Sequence, residues 1–437
     1  MGDSTSQILR VVEEGQVPPD WNRITVQELL EDGSLELVQD GNHGGNYPKQ
    51  DEFADAGIPL ITGADIEGGV VNLRTCKLLN PDRAAKLRIG FAKTGDVLLS
   101  HKGTMGKTAI VPVIATPYII LNPQLTLYRV SEDSVLDRHF LKYFFDSALF
   151  QSFLTRISAI STISTLSLGV QKQLEICFPS KTEQRAIAHI LGTLDDKIEL
   201  NRRMNETLEA IARALFKSWF NDTDETEIPR GWREGKVEEL ATLSRETIDP
   251  SEFPNETFDH YSIPAFDEGR LPKAEPGGQI QSNKFIVPAN AVLLSKLNPR
   301  IPRVWLPSIS KSHRSICSTE FLVAIPQPGV SREYLYGLFS SQSFLELFST
   351  LVTGTSGSHQ RVKPEYLTAI DMLTPPKKLI GRFTETVAPI YQRTAQNIEE
   401  SRTLSTLRDT LLPKLITGEL RIRDAHRFGK GRNNGDH

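Results

Sequence analysis

Cysteine is scarce: the 437 residues contain three, Cys76, Cys177 and Cys317, far apart in the chain, with no CxxC pair and no histidine at ligand spacing. That excludes a disulfide framework and a structural zinc site, and it fits a reduced, cytoplasmic protein. Long apolar runs are missing. The most apolar stretch, Ala109–Leu121, is interrupted by Pro112 and Pro117 and cannot cross a bilayer as a helix. No signal-peptide core follows Met1, and although Met1-Gly2-Asp3-Ser4-Thr5-Ser6 formally fits the loose myristoylation pattern, Asp3 gives it no basic support. An excess of one charge is also absent: 50 Lys and Arg against 54 Asp and Glu leave a net charge of −4. A uniformly cationic nucleic-acid coat is excluded, so any surface for a polyanion must be local.

Catalytic signatures are missing as well. There is no G-x-S-x-G elbow, no H-E-x-x-H and no Gly-rich strand-to-helix turn for S-adenosylmethionine or a dinucleotide. An N-P-P-Y-type amino-methyltransferase motif is absent; the nearest strings are Asn122-Pro-Gln, Asn298-Pro-Arg and Thr374-Pro-Pro-Lys. Chemistry is therefore expected from a partner. What remains is a globular composition, 39% hydrophobic and 24% charged, at a length for two or three domains.

The chain repeats itself. Val17-Pro-Pro-Asp-Trp21 leading to Val26-Gln-Glu-Leu29 returns as Ile228-Pro-Arg-Gly-Trp232 leading to Val237-Glu-Glu-Leu240, an offset of 211. Asp96-Val-Leu-Leu-Ser100 returns as Ala291-Val-Leu-Leu-Ser295 at an offset of 195, and Pro179 matches Pro375 at 196. Each copy opens with short β-like runs punctuated by Gly, Pro, Asn and Ser, and ends in a helical pattern. In residues 183–220, which hold no proline, apolar or small positions recur at alternating spacings of four and three: Ile187, Leu191, Leu194, Ile198, Asn201, Asn205, Leu208, Ala212, Leu215 and Trp219. Adding 196 gives a weaker version of the same seam, which includes Phe383, Val387, Ile390, Asn397, Leu404 and Leu411. Two helices with matching heptads should pack on each other. At about 1.5 Å per residue, the first spans about 57 Å, more than a domain of this size needs, so the pair is expected to be antiparallel and to space two domains. Asn201, Asn205 and Asn397 interrupt the seam at mid-length, where buried polar groups penalise other registers.

Two windows lack acid. Val97–Ser131 has no Asp or Glu but contains Lys102, Lys107 and Arg129; Lys296–Arg314 has none but contains Lys296, Arg300, Arg303, Lys311 and Arg314. A phosphate-facing surface needs such gaps, and their occurrence at the same place in both copies points to DNA. A further loop, Thr353-Gly-Thr-Ser-Gly-Ser-His-Gln-Arg361, offers hydroxyl, imidazole, amide and guanidinium donors for phosphates and base edges, while its counterpart Ser158–Thr165 keeps the hydroxyls without the charge. Gly103-Thr-Met-Gly106-Lys107-Thr108 resembles the end of a phosphate-binding loop, but His101 stands where the first glycine is required.

These segments resemble the specificity (S) subunit of type I restriction-modification systems. The resemblance runs from residue 17 to about 424 and rests on the paired Pro-x-x-Trp openings, Gly95-Asp-Val-Leu-Leu-Ser with Gly103 and Gly106, Glu183-Gln-Arg-Ala-Ile-Ala-His-Ile-Leu, Leu194-Asp-Asp-Lys-Ile-Glu-Leu-Asn, Ala214-Leu-Phe-Lys-Ser-Trp-Phe220 and Leu407-Arg-Asp-Thr-Leu-Leu-Pro-Lys-Leu-Ile-Thr-Gly-Glu-Leu420. It implies an α+β chain in which two α/β target-recognition domains in tandem repeat are separated by two long helices forming an antiparallel coiled coil. The expected division is a first recognition domain at 1–180, a central spacer helix at 181–222, a second recognition domain at 223–378, a C-terminal spacer helix at 379–424 and a flexible tail at 425–437. Double-stranded DNA contacts are expected from Ser100, Lys102, Thr104 and Lys107 in the first copy. In the second they are expected from Lys296, Asn298, Arg300 and Arg303, with Ser358, His359, Gln360 and Arg361 from the later loop. The spacer contacts are expected from Leu191, Leu194, Ile198, Asn201, Asn205 and Leu208 on one helix and Val387, Ile390, Asn397 and Leu404 on the other. Two methyltransferase subunits and the restriction subunits would assemble on this chain and use S-adenosylmethionine, ATP and Mg2+, with no cofactor on the chain itself. The rival readings are a bipartite type II specificity subunit, a nucleotide hydrolase built on Gly106-Lys107-Thr108, and a purely structural scaffold.

Overall fold

The structure, a computed structural model, describes residues 11–13, 15–44, 47–160, 165–220, 228–309, 312–353 and 360–422. The tail expected at 425–437 lies outside them. Contacts divide the chain into two compact units, Met1–Lys197 with Thr403–His437, and Ile198–Arg402.

In the first unit β1 (Leu35–Asp40), β2 (Val97–Ser100), β3 (Thr108–Ile110) and β4 (Leu125–Val130) form an antiparallel sheet in the order β3-β2-β4-β1. The central β2 reads Val-Leu-Leu-Ser and is buried at every position, the continuous apolar run expected of a strand covered on both faces. Packed against β2 and β3 is α1 (Arg138–Asp146), whose N-cap Asp137 accepts from the backbone N–H groups of His139 and Phe140. A five-stranded sheet follows a mixed pattern in which Ile58–Ile61 runs parallel to Ile119–Leu121. Asn22–Thr25 pairs with Glu175–Phe178, which closes the body just before α2 (Lys181–Phe220), whose Glu183 N–H donates to Ser180 Oγ at 3.4 Å.

The second unit repeats the plan. β5 (Ala241–Ser244), β6 (Val292–Ser295), β7 (Val304–Trp305) and β8 (Phe321–Pro326) are ordered β5-β8-β6-β7, which is the first sheet read from its other edge. The central strand is again Val-Leu-Leu-Ser and again buried throughout. Thr257–Tyr261 runs parallel to Arg314–Cys317, α3 (Arg332–Ser340) is capped by Ser331, and Arg233–Lys236 pairs with Asp371–Thr374 before α4 (Lys377–Ile416). Pro389 and Pro413 lie inside α4, where each removes a backbone donor. The helix continues because Val387, Ile390 and Tyr391 around the first of them pack into the core of the unit.

Each long helix serves both units. In the first, Ile187 and Leu191 of α2 and Leu415 and Ile416 of α4 join the core around Val97, Leu99 and Phe140. In the second, Ala212, Phe216 and Phe220 of α2 and Ile380, Phe383 and Val387 of α4 pack around Val292 and Leu294. Partner numbers fall as they rise: Asp195 meets Arg408 and Glu183 meets Arg421 in the first unit, while Asn205 meets Asn397 and Phe216 meets Phe383 in the second, so the helices are antiparallel in both. At mid-length the seam is polar. Asn201 and Asn397, both buried, touch each other through a donation from Asn201 Nδ2 to the Asn397 carbonyl at 3.3 Å, and Asn397 Nδ2 donates to Asn205 Oδ1 at 2.8 Å. The equivalent residues of the repeat thus meet, as the midpoint of two like antiparallel helices requires. Leu194, Ile198, Leu208, Ile390 and Leu404 are only half-buried around them.

The contact of each body with its helices has the same geometry and different chemistry. In the first unit Lys142 of α1 is buried between Asp146 at 2.9 Å and Asp195 of α2 at 3.4 Å. Asp195 also accepts from the Tyr143 hydroxyl at 2.7 Å and from Arg408 at 2.9 Å. Burial opposes the charge on Lys142, but Asp146 and Asp195 outweigh it and its pKa is raised. Burial likewise opposes ionisation of Asp195, and Lys142, Tyr143 and Arg408 together hold its carboxyl below the ordinary 3.8. In the second unit the positions of Lys142, Asp195 and Arg408 are taken by Tyr336, Tyr391 and Ala212; the two tyrosine rings meet edge to face at 5.4 Å. Because its pKa is depressed in the folded state, the Asp195 contribution is present above its unfolded pKa and disappears as pH falls through the lower folded value. Asp195→Asn should therefore lower stability by about 1–3 kcal/mol at pH 7, with the deficit shrinking below about pH 4, the ordinary carboxylate range. Urea unfolding of parent and variant at pH 7 and pH 3 measures this, and an equal deficit at both would show that the carboxylate charge is not what holds the joint.

Candidate nucleic-acid interface

β2 ends at Ser100, and residues 101–107 turn the chain back into β3. The turn is stapled from inside. Ser100, 1% exposed, donates from Oγ to the Thr104 carbonyl and accepts from the Lys107 N–H at 3.0 Å. Gly106 sits at φ +90° with the Gln151 side chain where a Cβ would project, so only glycine closes this turn. Two other segments meet it: the His101 N–H donates to the Gln124 carbonyl and the Leu166 N–H donates to the His101 carbonyl, both at 2.9 Å, with a β-bridge between Lys102 and Thr165. Gly103 to Thr108 therefore joins two antiparallel strands. A phosphate-binding loop needs a strand followed by a helix N-terminus, so the nucleotide-hydrolase reading has no structural basis here.

The second unit repeats the backbone bonds of this junction. The Lys296 N–H donates to the Glu320 carbonyl at 2.9 Å, the Val362 N–H donates to the Lys296 carbonyl at 3.0 Å, and a β-bridge joins Leu297 to Arg361. Ser295, 2% exposed, again staples its turn, donating to the Leu297 carbonyl at 3.1 Å. Asn298 takes a left-handed φ of +48°, a conformation asparagine tolerates better than most residues, and its N–H donates to the Gln360 carbonyl at 2.9 Å. The strand pair Val352–Thr353 and Arg361–Val362 forms the arms of the later loop.

Below the first junction lies a buried polar network. Thr126 donates to Asp40 at 2.6 Å and accepts from Gln171 at 3.0 Å, which leaves its oxygen to accept from His101 Nδ1 at 2.8 Å. Tyr128 donates to Gln171 at 2.6 Å. Burial pushes the His101 pKa below its ordinary value of 6.5, partly opposed by Asp40 and assisted by Lys102. The imidazole is therefore neutral near pH 7, with its proton on Nδ1 as the network requires.

The expected contact residues divide into two groups. Lys102, Thr104 and Arg300 are exposed, and Lys296, Asn298 and Gln360 are half-buried at the junctions. Among the described residues, Lys102, Lys296 and Arg300 make no ion pair. Others are turned to internal use, which corrects the expectation that they face DNA. Ser100 is the staple described above; the Lys107 ammonium donates to the carbonyls of Gly63 and Ile66, each at 3.0 Å; and buried Arg303 holds Asp267 through two bonds of 2.7 and 2.8 Å. The reason is that a window free of acid in sequence is not free of acid in space: Asp96 binds Arg129, Asp267 binds Arg303 and Glu256 binds Arg314. Arg361, in the later loop, is held by Glu320. Ser358 and His359 lie outside the described residues. Gln124 and Glu320, which the sequence reading did not single out, stand at the meeting point of the loops. The signal for them was the register, since Leu125 pairs with Ser100 and Phe321 with Ser295.

Residues 34–210 match the family described as type I restriction modification DNA specificity domain. Over that stretch the chain is similar to this specificity family. It is 26% identical to the type I restriction enzyme MjaIX specificity subunit of Methanocaldococcus jannaschii over 94% of this chain and 96% of that one. It is 25% identical to the HindI specificity subunit of Haemophilus influenzae over 59% of this chain and 70% of that one. Among solved structures, the S subunit of a type I restriction-modification system from M. genitalium shares the fold, with a TM-score of 0.56 at 16% identity, covering 93% of this chain and 98% of that one.

In the specificity domain, neutral His101 supports the first loop junction, and its depressed pKa has a definite sign. Below pH 6.5 the unfolded chain takes up a proton that the folded one refuses, so stability is lost as pH falls from there towards the lower folded value. His101→Gln should flatten this part of the profile between pH 7 and pH 5.5, read as urea midpoints. The same slope in parent and variant would remove His101 as its source.

Proposed function

We propose that this chain is the sequence-specific DNA-recognition subunit of a type I restriction-modification complex, with each unit reading one half of a bipartite target. The observation that carries this reading is the duplicated loop junction. The two units keep the same buried Val-Leu-Leu-Ser strand, a buried serine bonded into the turn that follows it and the same pair of backbone bonds to the flanking segments. A constant frame beneath variable loops is what two readers of different sequences need. Lys102 and Arg300, exposed at the tips, are suited to phosphates, which position the protein without carrying sequence information.

The chain itself is proposed to be non-catalytic and cytoplasmic; among the described residues no helix is long and apolar enough to cross a membrane. Two methyltransferase subunits and the restriction subunits would supply catalysis with S-adenosylmethionine, ATP and Mg2+. The paired helices would dock the methyltransferase subunits and set the gap between half-sites, a role supported by the polar register contacts at Asn201, Asn205 and Asn397.

Two measurements test this. Lys102→Ala and Arg300→Ala should each weaken binding to all duplexes alike and reduce the salt slope by about 1. Lys107→Ala and Arg303→Ala should act mainly through stability and leave the slope unchanged. If none of the four alters affinity at moderate salt, the loop junctions are not the DNA face. Adding one heptad to both α2 and α4 at matched positions adds about 10.5 Å of helix, equivalent to roughly three base pairs at about 3.4 Å each. Mapping modified sites with the methyltransferase partner should show a gap widened by that amount and unchanged half-sites; an unchanged gap would falsify the spacer role.

A further inference from the structure

We infer that Gln124 and Glu320 are equivalent base-reading positions, the amide selecting adenine in one half-site and the carboxylate selecting cytosine in the other. The inference rests on the DNA-recognition reading above and adds to it which residues discriminate and for what.

The equivalence is geometric. Each residue stands one position before the strand residue that pairs with the buried serine, Leu125 with Ser100 and Phe321 with Ser295. Each carbonyl accepts the backbone N–H of the first residue of the strand-end loop at 2.9 Å. Both side chains are half-buried at the place where the loops converge, and the frame that holds them is the same in both copies. The frame is constant, but the group it presents is not.

The Gln124 amide lies beside two glycines. Gly63 and Gly103 flank it, and a Cβ at either would stand 3.5 Å from Oε1 or 3.3 Å from Nε2, so any larger side chain there would crowd the group. Asn122 Nδ2 donates to Gln124 Oε1 at 3.1 Å, which fixes the oxygen end and leaves the NH2 end to donate. A glutamine amide so placed offers the donor and acceptor that match adenine N7 and N6.

Glu320 poses the opposite problem. A carboxylate at a DNA-facing junction is repelled by phosphate, so its placement there calls for a different partner. Arg361 neutralises it, donating from Nε and from Nη2 at 3.0 Å each. A carboxylate has about four lone-pair sites, so acceptor capacity remains beside the guanidinium. That capacity suits the N4 amino group of cytosine, while an arginine alongside suits the O6 and N7 of guanine. A carboxylate accepts only, whereas the amide at position 124 both accepts and donates, so the two positions present different patterns to a base edge.

The test exchanges the two groups. The full chain with its methyltransferase partner is used to select duplexes from a randomised library, and the recovered motif is read by sequencing. Gln124→Glu should change the preferred base at one position of the first half-site, and Glu320→Gln at one position of the second. Discrimination at that position should drop roughly 5- to 150-fold, the range for one good base contact, with the other half-site intact. The untouched half-site reports that the variant is folded. If a variant loses both half-sites, Gln124→Ser or Glu320→Ser replaces it and must meet the same criterion. The parental motif recovered from both exchanged variants, or a change spread over several positions, overturns the inference. A parent that selects no bipartite motif overturns the DNA-recognition reading instead.

Discussion

Neither recognition body completes its own core. The first is finished by Ile187 and Leu191, which follow it in the chain, and by Leu415 and Ile416 from the far end of α4; the second takes Phe216 and Phe220 from α2 and Phe383 and Val387 from α4. Antiparallel pairing of the two helices makes this possible, because it brings the end of one beside the start of the other within each unit. The polar midpoint then has a clear role. A slip by one heptad would bury Asn201 and Asn397 against apolar positions without their partners, and both cores would lose their closing residues together.

On this shared plan the two copies keep the central strand and the backbone of the loop junction and differ in the side chains around them. The buried strand, its terminal serine and the backbone bonds of the loop junction are the same, since any change there opens a sheet centre. The side chains at the junction differ: His101 with its network at one, Lys296 at the same place in the other; Gln124 at one meeting point, Glu320 at the other. Such a pattern arises when the backbone is selected for one geometry and the side chains for two tasks.

Much of this was legible in the sequence because it is written locally. The two Val-Leu-Leu-Ser strands, the heptad seam of the first long helix and the asparagines at mid-seam are all short-range signals of spacing and residue type. The continuity of α4 through Pro389 was less legible, since tertiary packing outweighs a local breaker there. The acid-free windows misled for a different reason. Charge neutralisation is decided in three dimensions, and Asp267 and Glu256 reach Arg303 and Arg314 from 36 and 58 residues away. Gln124 and Glu320 carry no motif at all. Their place becomes visible only when strand register aligns the two copies.

The unlike joints beneath the bodies bear on how far the halves are interchangeable. Lys142 with Asp195 and Tyr336 with Tyr391 occupy the same place, one joint ionic and the other aromatic. Moving the first body onto the helix positions of the second would bury an ammonium against a tyrosine ring with only Asp146 left to balance it, and the reverse graft would leave Asp195 facing a phenol instead of its cation. Gly337 adds a steric key: it stands where the first body has Tyr143, and the Phe216 ring already fills the space a Cβ would take. A swap of specificities confined to the loops would respect these joints, whereas a swap of whole bodies would have to carry a matching stretch of both helices with it.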